Sequence, residues 1–129
     1  MSSPPPAFAS RTHQHAWRWL LAVLVVVVSW FAFSPSTGSD AFEHVDKFKH
    51  VLAFGCLATV AGLAWPVSRP THFKIALALV LYGAFIEVVQ SFIPSRDASW
   101  PDLLADAVGI AAGLLLLHVV RQAGWAKPG

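Results

Sequence analysis

Four apolar stretches, each close to the length that crosses a bilayer, constrain this chain more than any motif in it. The first runs from Trp17 to Phe33 with Arg18 as its only charge, and the second from Val51 to Ser68 with none. The third, Ile75 to Ser95, carries only Glu87, and the fourth, Leu103 to Val120, only Asp106. A helix rises about 1.5 Å per residue, so about 20 residues cover roughly 30 Å of hydrocarbon. Helix breakers stand between the stretches: Pro35, Ser36 and Gly38, then Pro66 and Pro70, then Pro94, Ser95 and Pro101. Unsatisfied backbone cannot face lipid, and short connections force neighbouring helices antiparallel. The expected fold is therefore an all-α membrane protein, four transmembrane helices in an up-down-up-down bundle. The helices are expected at about 16–34, 47–66, 73–93 and 101–120, between a disordered tail at 1–15 and a short tail at 122–129.

Composition excludes most other classes. Only 12% of the residues are charged against 56% hydrophobic, where a soluble surface calls for about 25% charged. A net charge of +2 without a basic stripe of interleaved aromatics argues against nucleic acid. The single cysteine, Cys56, precludes an intrachain disulfide and reads as a small packing residue. Residues 11–34 have the outline of a cleaved signal peptide, but Pro35 directly after Ala32-Phe33-Ser34 is a poor cleavage context.

Charge placement gives orientation. With the N-terminus inside, Arg11, Arg18, Arg69, Lys74, Arg121 and Lys127 fall on the cytoplasmic side, and Lys47, Lys49 and Arg96 on the outer side. Six against three puts both termini in the cytoplasm. All seven acids (Asp40, Glu43, Asp46, Glu87, Asp97, Asp102 and Asp106) then lie at or near the outer helix ends.

Helical spacing sorts these residues onto faces: Asp46 with His50, Gly83 with Glu87 and Gln90, Asp102 with Asp106. His50, Glu87 and Asp106 reach similar depth beneath the outer interface. A carboxylate facing acyl chains costs about 2.5–3.5 kcal/mol on insertion scales, so these faces should turn inward. Small residues, Ala58 and Gly62 on the second helix and Ala105, Gly109 and Gly113 on the fourth, let the helices approach. The expectation is an outward-facing polar pocket, roofed by the Pro94–Pro101 loop with Arg96. Structural roles compete with this reading. Ser99 with Asp102 resembles a capping box and Pro101 suits a first turn. Asp46 reads equally as a cap, His118 and Arg121 as complements to the dipole of the fourth helix, and Glu87 or Asp106 as partners of Arg96 or His50.

Asp46-Lys47-x-x-His50 opens the second helix, Glu87-x-x-Gln90-x-Phe92-x-Pro94-x-Arg96 closes the third, and Asp102 with Gly109 and Gly113 shapes the fourth. Over roughly residues 17–120 this pattern resembles the VanZ-like family of small bacterial membrane proteins. Asp106 departs from it, standing where the family typically shows asparagine. The resemblance implies a multi-pass protein of the bacterial cytoplasmic membrane, and its namesake is associated with low-level teicoplanin resistance.

Two functions fit the residues. The first is a binding or accessory protein whose pocket (Asp46, Lys47, Gln90, Arg96 and Asp102) engages a lipid-linked or amphipathic envelope molecule, or another membrane protein. The second is a membrane-embedded enzyme with Glu87 and His50 as acid and base, Asp106 and Asp102 orienting them or holding a divalent cation, and Arg96 as an anion clamp. No metal signature occurs, and no cofactor is expected.

Overall fold

The structure is a computed structural model and describes residues 11–35, 43–66, 68–94, 96 and 99–123. The side chains of residues 43–46, Asp46 among them, lie outside the description, as do Asp40, Asp97, Lys127 and most of both expected tails.

Four helices follow one another: α1 (Arg11–Phe33), α2 (Glu43–Ala64), α3 (Arg69–Gln90) and α4 (Trp100–Gln122). Each is long and apolar enough to cross a membrane. The helices begin a little earlier than the apolar runs, α1 at Arg11 inside the stretch expected as tail. Hydropathy marks only the part in lipid, and nothing in Arg11–His15 stops a helix from continuing into water. Their ends follow local chemistry. α1 and α2 stop just before Ser34-Pro35 and Trp65-Pro66, because proline disfavours helical backbone in the residue before it. Ser68 and Ser99 cap α3 and α4, accepting from the backbone N–H of Thr71 and Asp102, with a proline in each first turn.

α2 is the central helix. It packs most extensively on α4 and also meets α1 and α3, and its Phe54, Leu57, Ala58 and Ala61 form the core with Ile75, Leu79 and Ile86 of α3 and Ile110 of α4. Glycine sets the α2–α4 distance. A methyl on Gly109 would collide with the carbonyl oxygen of Val51, and one on Gly113 with that of Gly55. Such close approach suits helices in lipid, where association draws on van der Waals packing rather than on the hydrophobic effect. Gly62, expected in the same role, instead faces the end of the Leu117 side chain. Cys56 is exposed. It is not part of the buried core, so the reading of it as a small packing residue gains no support from the bundle interior.

α1 is peripheral. Trp19, Val23, Val26, Trp30 and Phe31 are all exposed, an apolar face that lipid would cover. Polar ties hold it at both ends and in the middle. Tyr82 on α3 donates to the Val25 carbonyl at 3.2 Å and shares a 2.5 Å hydrogen bond with Ser29. Neither α1 nor α2 has a basic residue in its last turn, and other helices supply the missing donors. Arg18 and Arg121 donate to the carbonyls of Ala64 and Gly62 at the end of α2, at 3.1 and 3.0 Å. Arg121 stands in the last turn of α4, as the sequence suggested, and also serves α2, whose terminus lies beside it and whose carbonyls lack a local donor.

Candidate functional site

At the opposite end of the bundle α2 and α4 begin and α3 finishes, and this junction gathers the polar residues. His50 lies in the third turn of α2. Asp102 and Asp106 stand one turn apart on α4, and Glu87 is in the last turn of α3. Glu87, Asp102 and Asp106 are buried, Asp106 completely, while the His50 side chain keeps 14% of its surface.

The His50–Asp106 pair organises the site. His50 Nδ1 stands 2.7 Å from Asp106 Oδ1, and Nε2 stands 3.9 Å from Asp102 Oδ2. The first distance is a short hydrogen bond, and the second is too long for one. With Asp106 ionised, its carboxylate can only accept, which places a proton on Nδ1; Nε2 is turned toward Asp102. Gly83 makes room for this pair, since a Cβ there would lie 2.7 Å from Asp106 Oδ2. The expected polar face of α3 thus includes a residue whose part is to have no side chain.

Glu87 does something the sequence concealed. Its Oε2 accepts the backbone N–H of Ser99 at 3.0 Å. In a capping box the acid three residues after the cap takes that N–H, and here that acid is Asp102. Glu87, coming from α3, takes its place, and Asp102 turns toward His50 instead. Two buried carboxyl oxygens, Glu87 Oε1 and Asp106 Oδ2, have no hydrogen-bond partner among the described residues. One ligand atom from each of His50, Glu87 and Asp102 lies within 4.8 Å of the others.

Gln90 and Arg96, expected to line the pocket, reach α1. Gln90 Nε2 donates to the Ala32 carbonyl at 3.0 Å, and Arg96 donates through Nη2 to Phe31 at 2.8 Å and through Nε to Ser34 at 3.0 Å. The physical reason is the one seen at α2: the last carbonyls of α1 lack a donor of their own. Lys47, half-buried in α2, lies one turn before His50. Arg96→Ala should lower stability in detergent by about 1–2 kcal/mol through loss of two charge-assisted hydrogen bonds. Arg69→Ala, which removes an exposed charge, should leave melting unchanged. Equal melting of the two variants would contradict the capping role, and Arg96→Lys should recover little because one ammonium cannot span both carbonyls.

No curated protein and no solved structure matches the chain. A model of the VanZ/LLP1 family matches residues 2–121, nearly the full length, and the chain therefore belongs to the VanZ/LLP1 family.

Proposed function

We propose that this protein is a non-catalytic binding or accessory component of the bacterial cytoplasmic membrane, which takes the polar head of a lipid-linked or amphipathic envelope molecule. The observation that carries the proposal is the pair of unpartnered buried oxygens, Glu87 Oε1 and Asp106 Oδ2, beneath a partly open histidine. Buried polar atoms without partners are costly, and ionisable groups within membrane spans are functional-site candidates by default. The cluster is rich in acceptors, which hydroxyl, ammonium or cationic groups would match. With both termini cytoplasmic it opens outward, where envelope precursors and glycopeptides meet the membrane. A contribution to low-level teicoplanin resistance, suggested by the family, belongs to this proposal.

The experiment is native mass spectrometry of gently released protein, with reporter fusions fixing the side of each terminus. The expected result is an amphiphile retained by the wild type and by Arg69→Ala but lost from Glu87→Gln and Asp102→Asn, with both termini cytoplasmic. Identical spectra from all four chains would remove the reading, and an extracytoplasmic C-terminus would remove its orientation.

One observation favours an enzyme instead: an imidazole held by a carboxylate is how a general base is oriented. Glu87 would then be the acid. Against it, Arg96 spends Nε and Nη2 on α1 carbonyls rather than on an anion clamp.

A further inference from the structure

We propose that His50, Glu87 and Asp102 form a binding site for a divalent metal ion of the zinc class, with Asp106 as the positioning residue. The inference starts from the imidazole. A metal-bound histidine almost always donates its second ring N–H to a carboxylate or carbonyl, which fixes the tautomer and leaves the other nitrogen to the ion. His50 has the geometry for this arrangement, with Nδ1 2.7 Å from Asp106 Oδ1 and Nε2 3.9 Å from Asp102 Oδ2.

The distances fit a shared ion. Nitrogen and oxygen ligands sit about 2.0–2.2 Å from zinc, which separates two ligands of one ion by about 3–4 Å. The 3.9 Å between His50 Nε2 and Asp102 Oδ2 lies in that range. The three ligand atoms, all within 4.8 Å of one another, need only a small contraction around the ion. Glu87 adds an independent sign. It is 9% exposed, and its Oε1 is buried without a partner among the described residues while Oε2 is held by Ser99. One carboxyl oxygen is thus anchored to the backbone and the other left as a donor atom. A mixed imidazole and carboxylate set suits zinc or manganese, and a soft thiolate-preferring ion finds no sulfur here. Three carboxyl groups share this space with one imidazole, so a dication also offsets their mutual repulsion.

Three protein ligands leave a zinc ion at least one open position. An oxygen of a phosphate or hydroxyl headgroup would take it, supplying the positive centre that Arg96, turned toward α1, does not. The metal site itself stands on side-chain geometry alone and does not require that any headgroup binds.

The test uses full-length untagged protein in detergent, stripped with a chelator and titrated with zinc against a chromophoric competitor. Wild type is expected to bind one equivalent per chain, with melting raised by zinc and returned by chelator. Glu87→Gln and Asp102→Asn should each lose that equivalent while keeping helicity and metal-free melting near wild type. Asp106→Asn should retain one equivalent bound about 10–100-fold more weakly, as loss of a supporting carboxylate does. Folded wild type that takes up no zinc would overturn the proposal. Equal uptake by wild type and both ligand variants would overturn it too, by assigning the metal to other histidines such as His13 or His15. Zinc binding without a retained amphiphile would sink the proposed function and leave the metal site standing; the reverse result would do the opposite.

Discussion

Gly109→Ala is expected to destabilise the bundle strongly, although it adds a single methyl. The new Cβ would meet the Val51 carbonyl group and, at 3.1 Å, the Gly55 nitrogen, all backbone atoms of α2. Backbone cannot rotate aside, so α2 and α4 must separate along the most extensive interface in the molecule. Overpacking of a tight core typically costs about 1–3 kcal/mol, and this rigid case belongs at the upper end. Gly62→Ala is the control. Its methyl meets the terminal carbon of Leu117, which a rotamer change can move. Thermal melting in one detergent should show a large loss for Gly109→Ala and a small one for Gly62→Ala. Equal losses would mean that the interface is not set by backbone contact. The separation should also loosen the site, because α2 carries His50 and α4 carries Asp106. Zinc or amphiphile binding should therefore fall further than stability alone predicts.

His50→Ala should cost about as much as breaking any buried pair, about 3–5 kcal/mol, because it strands a fully buried carboxylate. Asp106 has no surface exposure, and its other oxygen already lacks a partner. Asp106→Asn should be far milder, since an amide oxygen still accepts from Nδ1 while the charge disappears. The double variant His50→Ala/Asp106→Ala should recover part of the loss, giving a coupling of about 0.5–3 kcal/mol in a double-mutant cycle. Strictly additive losses would show that the 2.7 Å contact contributes nothing specific. Glu87→Gln falls on the other side of the ledger. Glutamine keeps an oxygen for the Ser99 N–H, so its melting should stay close to wild type while binding is lost.

What the chain determines by itself is local. Lengths and spacing of the apolar runs dictate four spanning helices, because a helix is the one way a short segment satisfies its own backbone in lipid. Ser99, Pro101 and Asp102 mark the start of α4 within a single turn, and that start is where the structure has it. Depth is also local: counting residues from the helix ends places His50, Glu87 and Asp106 at one level. Partner choice is not. Arg96 and Gln90 were legible as polar residues near the pocket, yet they cap a helix about sixty positions earlier. That choice depended on α1 ending without a basic residue and lying beside α3. Ser99 and Asp102 have the spacing of a self-contained capping box, but Glu87 takes the Ser99 N–H and Asp102 faces His50. Tertiary packing decides this because N–H groups and carbonyls at helix ends are equivalent to any donor or acceptor within reach. Only the fold, which lays α1 beside α3 and brings the end of α3 to the start of α4, fixes which one is close enough.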